Sequence, residues 1–338
     1  MTSRILATVA TLAVALIGCA VADDRKLTGQ VRIAGSSTVF PIMSAAAEMF
    51  QETAPRVKLT IAAPTGTGDG FKKLLESDAA LRIDICNASR PITPTEQTRA
   101  AEIGVRYIEL PIAYDGTAVV VHPDNKFCDQ LTIEELKRIW EPDSKITNWK
   151  DVRAGFPDLK LTLYGPGANS GTFDHFTEVI VGKARASRTD YVASESDNML
   201  VQGVSGDAGA LGYFGFAYYE SNKAKLRAVP IVGHDGTAVT PSVQSIHDLQ
   251  YVLARPLFVY VNADSAKRPE TQAFVKFLLT NAAKIVGHKR VNYVPLDPDL
   301  YQLVRTRWEG GVEGTLYPDS ASHAAPLHKV LRGEGHKP

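Results

Sequence analysis

Three short segments of the sequence combine glycine with serine or threonine, and each lies between an apolar run and a helical segment. They are residues 35–41 (GSSTVFP), 65–71 (TGTGDGF) and 167–173 (GANSGTF). The first turn of a helix has free backbone N–H groups and the positive end of the helix dipole, so it attracts anions. Hydroxyl groups add neutral donors there. Each turn alone is also an ordinary N-cap, but three of them together predict a site for a small oxyanion.

The surrounding elements predict how these turns come together. Short apolar runs that favour strands, such as Val31–Ala34, Val57–Ala63 and Ile83–Ala88, alternate with helical segments, which is typical of an α/β fold. The carboxyl ends of parallel strands lie at one edge of a sheet, and ligands bind in the crevice there. We therefore expect the three turns to face a common cavity.

Two long apolar stretches predict connections between two lobes. Tyr107–Val121 is longer than an ordinary strand and is interrupted by Asp115 and Gly116. We interpret it as a chain crossing, with Arg255–Asn262 as the return crossing. Between them, Leu131–Trp140 is predicted to be an amphipathic helix that starts with a capping box.

Arg90 follows the third predicted strand in the segment NASRP. Its planar guanidinium suits an anion, and a surface position beside the proline is the alternative. Other phosphate motifs are missing, because GTGDGFKK fits neither GxxxxGK[ST] nor GxGxxG. No GxSxG elbow of a serine hydrolase occurs either.

The start of the chain predicts an export signal. Arg4 is followed by the apolar run Ile5–Ile17 and then by Gly18 and Cys19. The run is too short to cross a membrane comfortably. The sequence LIGC is similar to a bacterial lipobox, so residues 1–19 are interpreted as a lipoprotein signal peptide with lipidation at Cys19. An ordinary cleavable signal is the alternative.

The composition limits the class of partner. Lysine and arginine together number 37, as do aspartate and glutamate, whereas nucleic-acid binding calls for a basic excess. The 338 residues exceed one average domain and favour two lobes. Residues 318–338 have little to bury and are predicted to be mobile. Cys86 and Cys128 either form a disulfide or remain buried thiols, and no cysteine or histidine spacing indicates a metal site.

Several motifs occur in the order of a known family. They are GSSTVFPI, DICNASRPI, IAYDGTAVVV, YGPGANSGTFDHF and GDAGALGYFGFAYY. Together they resemble the periplasmic phosphate-binding proteins of the phosphate-specific ABC transporter, in particular the variety of cyanobacteria. This resemblance implies a type II periplasmic-binding-protein fold, with two α/β lobes, two hinge crossings and a ligand cleft. Lobe I is then residues 27–113 and 258–317, and lobe II is residues 114–257.

The resemblance also implies which residues bind inorganic phosphate. Six positions in the three glycine-rich turns match hydroxyl or amide donors of the family. They are Ser37, Thr38, Thr67, Ser170, Gly171 and Thr172.

The sequence departs from the family at two charged positions. Where well-known members have the aspartate that accepts the phosphate proton, this chain has Arg90, and where they have an arginine it has Pro166. We expect Arg90 to supply the positive charge from the other lobe. Asp115 is the first candidate for the proton acceptor, although it could be a hinge-turn residue, and Asp69 is a weaker candidate.

The expected function is capture of inorganic phosphate and its delivery to the permease subunits of an ABC importer. The protein is expected to be exported, without cofactor or catalysis, monomeric, and in contact with the membrane only through its lipid. The alternatives are a carrier of another oxyanion, a scaffold without a tight ligand, and an exported phosphatase or esterase that uses Ser170 or Ser37. His175, the only histidine near a turn, is expected on a helix surface instead of acting as a base.

Overall fold

The structure is a computed structural model that describes residues 24–168, 170–318 and 325–333. The predicted signal peptide with Cys19 lies outside the described residues, as does part of the predicted tail. The strands are β1 (Gly29–Gly35), β2 (Val57–Ile61), β3 (Ile85–Ala88), β4 (Tyr107–Val121), β5 (Leu131–Thr132), β6 (Thr162–Pro166), β7 (Val192–Ser194), β8 (Ala210–Gly215), β9 (Arg227–Ala228), β10 (Ile231–Val232), β11 (Ala238–Val239) and β12 (Ala254–Asn262).

The helices alternate with these strands, as the sequence predicts. They are α1 (Phe40–Thr53), α2 (Thr67–Leu74), α3 (Pro94–Glu102), α4 (Ile133–Trp140), α5 (Gly171–Val181), α6 (Asp197–Gly206), α7 (Phe216–Asn222), α8 (Val243–His247), α9 (Pro269–Val286), α10 (Pro298–Glu309) and α11 (Leu327–Leu331). No helix in the described part of the chain is long and apolar enough to span a membrane.

A large mixed sheet organises the molecule in the order β2-β1-β3-β12-β4-β8-β6-β7, with β9 also paired to β4. Strand β1 is parallel to β2 and β3, and β6 is parallel to β7 and β8. Strands β4 and β12 are antiparallel to their neighbours and lie between these two parallel groups. We call the β1–β3 side the first half and the β6–β8 side the second half.

Strand β4 is continuous, so the predicted interruption at Asp115 and Gly116 is wrong. Its residues 107–116 pair with β12, and its residues 117–121 pair with β8. Asp115 remains in the ladder opposite Arg255. Gly116 is required by packing, because a Cβ at this position would lie 2.6 Å from Cδ1 of Ile246. One buried strand therefore passes through both halves.

Aromatic clusters in each half hold the helices that begin at the glycine-rich turns. In the first half, the rings of Phe50 on α1 and Phe274 on α9 are 5.4 Å apart. In the second half, Phe176 on α5 stacks on Tyr213 with ring centroids 3.7 Å apart. Such pairs add about 0.5–1.5 kcal/mol to the free energy gained from burial. The starts of α1 and α5 are thus fixed by the core behind them.

The predicted N-cap of α4, Thr132, is confirmed, and the helix itself begins at Ile133. The side chain of Thr132 accepts a hydrogen bond from the Glu135 amide at 3.0 Å, and Glu135 accepts one from the Thr132 amide at 2.9 Å. This reciprocal capping box satisfies two amides that the helix itself cannot pair.

Part of the predicted mobile tail forms helix α11. Leu327 and Val330 on this helix are buried, and Arg332 donates a hydrogen bond to Asp299 on α10 at 2.7 Å. The prediction that the tail has little to bury therefore does not hold for residues 325–333. Two apolar side chains three positions apart suffice for one helical turn to pack.

The two cysteines are free and buried, so the disulfide alternative is wrong. Cys86 lies on β3 in the first half and faces α2, where a Cβ on Gly70 would approach its sulfur to 2.8 Å. Cys128 follows β4 in the second half. Burial raises the pKa of the Cys128 thiol to about 12 and also raises the pKa of Cys86. Neither thiol is activated for chemistry.

Candidate functional site

The turn before α1 contacts the turn before α2. The carbonyl oxygen of Gly35 accepts hydrogen bonds from the amides of Thr65 at 3.3 Å and Gly66 at 3.1 Å. Gly66 has a φ of +100°, which favours glycine, and it precedes the first residue of α2. The starts of α1 and α2 are therefore adjacent at the carboxyl ends of their strands.

The same turn also contacts α5, from the other half of the molecule. The Ser37 hydroxyl donates to Oδ2 of Asp174 at 3.4 Å. A Cβ built on Gly171 would lie 2.3 Å from Oγ1 and 2.7 Å from Cα of Thr38. Only glycine permits this approach, so Gly171 and Thr38 mark the line along which the two halves meet.

Within the first turn, Ser36 holds the segment that leads into α1. Its buried hydroxyl accepts hydrogen bonds from the amides of Thr38 at 3.2 Å and Val39 at 3.4 Å. Ser37 and Thr38 are the donors predicted in this turn, and this role of Ser36 was not recognised from the sequence. The hydroxyls in contact with the second half are those of Ser37, through Asp174, and Thr38, through Gly171.

In the second turn, Thr67 connects α2 to the end of β3. Its Oγ1 lies 3.1 Å from the Ser89 hydroxyl and accepts a hydrogen bond from the Ser89 amide at 3.0 Å. Asp69 forms an ion pair with Lys73 at 2.8 Å, and hydrogen bonds from Lys73 and Thr65 lower its pKa. Because this pair is exposed, Asp69 is poorly suited to be a buried acceptor of the phosphate proton.

In the third turn, Ser170 caps α5. Its Oγ accepts a hydrogen bond from the Thr172 amide at 3.2 Å. Ser170, Gly171 and Thr172 are all partly buried, which suits groups that line a cleft.

Arg90 does not present the free guanidinium that the sequence predicts. Its two Nη atoms each donate to a different oxygen of Glu96 on α3, both at 2.9 Å. One of them also donates to the Pro91 carbonyl at 3.0 Å. Glu96 lies six residues further on and was not recognised as the partner because it belongs to another element. The pairing occupies the bidentate donor edge that an anion would need.

The charged pair in contact with the first and third turns is Arg255 and Asp115. These residues are directly opposite in the β12–β4 ladder. The Arg255 Nε and Nη2 atoms donate to Oδ2 of Asp115 at 3.2 and 3.1 Å. Nη2 also contacts Oγ1 of Thr38 at 2.9 Å and the Gly171 carbonyl at 3.3 Å. Arg255 thus contacts both the first and the second half.

Two polar atoms beside this pair are buried without a hydrogen-bond partner among the described residues. They are Oδ1 of Asp115, which is 0% exposed, and Nδ1 of His175, which lies 3.8 Å from Oδ2 of Asp115. Burial raises the pKa of Asp115, against the opposing effect of Arg255. Burial, with the positive charge of Arg255, lowers the pKa of His175 well below its ordinary value.

The predicted surface position of His175 is therefore wrong. This side chain is 4% exposed and faces inward from α5 toward β4. A neutral imidazole in this position adds no charge to the site. Arg255 and Asp115 carry opposite charges that balance each other.

Other features of the surface lie apart from the turns. A cavity of about 990 Å³ is lined by residues of α9 and α10, including Phe277 and Trp308, and by none of the turn residues. We place the site at the turns because the turn residues contact the buried Arg255–Asp115 pair, whereas this cavity lies away from it. In the described part of the chain, no three histidine, cysteine or acidic side chains form a group that could hold a metal ion.

Comparisons with known proteins agree with the geometry. Residues 20–282 match the PBP superfamily domain. The chain is 43% identical over 304 residues to protein SphX of Synechococcus elongatus, which covers 89% of this chain and 88% of SphX. It is 36% identical over 266 residues to the phosphate-binding protein PstS of Staphylococcus saprophyticus, which covers 78% of this chain and 80% of PstS.

A solved structure shares the whole architecture. A possible phosphate binding protein from Planctomyces limnophilus superposes with a TM-score of 0.80 at 44% identity, over 85% of this chain and 99% of that chain. This similarity extends over both halves of the sheet and confirms the predicted fold.

Proposed function

Because this chain belongs to the PBP superfamily and to the family of the SphX and PstS phosphate-binding proteins, we propose that its cleft binds inorganic phosphate for an ABC importer. The single observation that carries the proposal is the meeting of three glycine-rich turns from both halves, of which the first and the third contact Arg255. Helix N-termini attract an anion, and both halves must contribute for a cleft to close on it.

The donors in this proposal are hydroxyls and amides of the three turns, at positions where the family binds phosphate. They are Ser37, Thr38, Thr67, Ser170, Gly171 and Thr172. The contacts of the first turn with α2 and with α5 support this assignment. Neutral donors can satisfy the oxygens of a buried anion without adding net charge.

Asp115 accepts the proton of phosphate in this proposal. Its Oδ2 is occupied by Arg255, whereas Oδ1 is buried and lacks a partner among the described residues. Phosphate keeps at least one proton near neutral pH and can donate it, but sulfate presents only lone pairs. An unsatisfied buried group costs at least about 1–3 kcal/mol, and about 1.4 kcal/mol corresponds to tenfold in affinity. The site therefore favours phosphate over sulfate by about tenfold or more.

The same proposal covers transport and location. The protein is exported, is anchored by a lipid at Cys19 in the periplasm or at the outer face of the cytoplasmic membrane, acts as a monomer and releases phosphate to permease subunits. It performs no catalysis. In the described part of the chain, Ser170 caps a helix and Ser37 contacts a carboxylate, and neither has a histidine within hydrogen-bond distance.

Calorimetric titration of the purified protein with phosphate, and separately with sulfate, tests this function. We expect micromolar or tighter phosphate binding, which corresponds to about −8 kcal/mol, and no sulfate heat. Stronger binding of molybdate or a phosphonate would favour another oxyanion. Turnover of a chromogenic phosphate ester that is lost in Ser170→Ala or Ser37→Ala would instead favour the phosphatase or esterase alternative.

A further inference from the structure

We propose that Arg255, and not Arg90, is the positive charge that binds the anion, and that it does so only when both halves are in contact. This inference rests on the proposed function and assigns its main charged ligand. Arg255 lies within an apolar strand and outside the glycine-rich turns.

The hydrogen bonds of Arg255 leave part of its guanidinium available. Nε and Nη2 donate to Asp115, Thr38 and Gly171. Among the described residues, no group accepts a hydrogen bond from Nη1. An arginine that is held on one side and open on the other can donate to an oxyanion without losing much conformational entropy on binding.

Because Arg255 is buried, its donor is expected to interact with an anion more strongly than a surface charge would. Its side chain is 13% exposed and that of Asp115 is 0% exposed, so water screens their charges weakly. In contrast, the side chain of Arg90 is 35% exposed and both of its Nη atoms are occupied by Glu96. Of these two arginines, Arg255 is the one with an unoccupied donor in a buried setting.

The contacts of Arg255 also link ligand binding to closure. Thr38 belongs to the first half, Gly171 belongs to the second half, and Asp115 lies on the strand that passes through both. Separation of the halves would break the contact with Thr38 or the contact with Gly171. The guanidinium therefore reaches its full set of contacts only in the closed arrangement seen here, which is also the arrangement that surrounds a ligand.

The test is calorimetric titration of phosphate into the wild-type protein, Arg255→Gln, and the matched control Arg90→Gln. We expect Arg255→Gln to bind phosphate about 100-fold more weakly, in line with the loss of one partner from a buried charge pair. Arg90→Gln should stay within about threefold of wild type, as expected for a partly exposed pair. Thermal unfolding without phosphate shows whether each variant is folded.

A second variant separates ligand contact from support of Asp115. Arg255→Gln combined with Asp115→Asn removes both charges and leaves no unpaired carboxylate. If Arg255 served only to neutralise Asp115, this double variant would bind phosphate as tightly as Asp115→Asn alone, and that result would overturn the inference; a further loss relative to Asp115→Asn is expected. Retained affinity in Arg255→Gln alone would overturn it as well, while the proposed function would stand. Absence of phosphate binding by the wild-type protein would overturn the proposed function and the inference with it.

Discussion

The arginine–carboxylate pairs Arg90–Glu96 and Arg255–Asp115 differ in how completely their hydrogen-bonding groups are satisfied. In Arg90–Glu96, two guanidinium nitrogens meet two carboxylate oxygens, both at 2.9 Å. In Arg255–Asp115, two nitrogens share one oxygen, so Nη1 and Oδ1 remain without protein partners in the described part of the chain. The first pair is suited to hold α3 in place, whereas the second retains a donor and an acceptor for a ligand.

The comparison shows that proximity to a recognisable motif does not identify the functional charge. Arg90 stands in the segment that resembles the family, but its hydrogen-bonding capacity is used within the first half. Arg255 stands outside every glycine-rich turn, and its position opposite Asp115 places it between the halves. The completeness of hydrogen bonding distinguishes the two arginines better than their position in the sequence does.

Replacement of Asp115 by asparagine should have the largest effect of the four changes considered below. The variant loses the ionised acceptor beside Arg255, so we expect phosphate affinity to fall roughly 30- to 100-fold and the preference over sulfate to narrow. Calorimetry with both anions measures the two effects. Asp69→Asn is the control, with an expected change of about twofold or less because Asp69 is exposed and paired with Lys73. A larger loss in Asp69→Asn than in Asp115→Asn would make Asp69 the acceptor.

Replacement of Gly171 by alanine tests whether Arg255 must bring both halves together. The new methyl group would overlap Thr38, including its backbone, so the two turns must separate. Overpacking of this kind costs about 1–3 kcal/mol, so we expect phosphate to bind about tenfold more weakly. Gly206→Ala is the matched control, because a Cβ at that glycine meets nothing within 4 Å. Equal affinities in the two variants would contradict a closed site at Gly171.

Because His175 is neutral beside the buried pair, we expect the free energy of unfolding to decrease as the pH is lowered. Its pKa is held well below the ordinary value of 6.5 by burial and by Arg255, so below that pH the unfolded chain binds a proton that the folded protein does not. Stability from this residue is therefore present above about pH 6.5 and is lost as the pH falls, by up to about 1.4 kcal/mol per pH unit.

Asp115 acts in the opposite direction, because burial raises its pKa and the folded protein then holds its proton to higher pH. A comparison of wild type with His175→Gln isolates the histidine. We expect the free energy of unfolding, measured in urea between about pH 7.5 and pH 5, to fall more steeply for wild type. Parallel curves for the two proteins would show that His175 is not held neutral.

Replacement of Arg90 by glutamine should have the smallest effect on phosphate affinity. It should also lower the stability of the first half by a measurable amount. With its side chains 35% and 18% exposed, the Arg90–Glu96 pair is partly screened. We expect the free energy of unfolding to fall by at most about 1 kcal/mol, with the phosphate dissociation constant changed by about threefold or less. A loss of affinity comparable to that of Asp115→Asn would reverse the assignment of the two arginines.

Local patterns predicted much of the fold because they depend on neighbouring residues. The alternation of elements and the capping box of Thr132 and Glu135 are confirmed. The contacts between the turns of α1, α2 and α5 are those expected of turns at the ends of strands. The roles of individual turn residues in phosphate binding remain predictions.

The features that the sequence did not predict depend on contacts between residues far apart in the sequence. The Arg255–Asp115 pair joins residues 140 positions apart and follows from the β4–β12 register, which a single sequence does not fix. The lone charge in the apolar strand of Arg255 was the available signal. Burial of His175 likewise depends on how α5 is rotated against β4. Strand β4 continues through Asp115, where Arg255 lies opposite and pairs with the carboxylate.

The ladder between β4 and β12 has an irregularity at Leu257 and Phe258, two residues beyond Arg255. A bulge bends and twists its strand locally, because one residue there is released from regular pairing. Leu257 pairs with Ala113 and Phe258 pairs with Pro111, so the released residue is Ile112 and the bent strand is β4. Asp115 lies three residues beyond Ile112 on the same strand, so the local bend of β4 helps to set where the carboxylate meets Arg255.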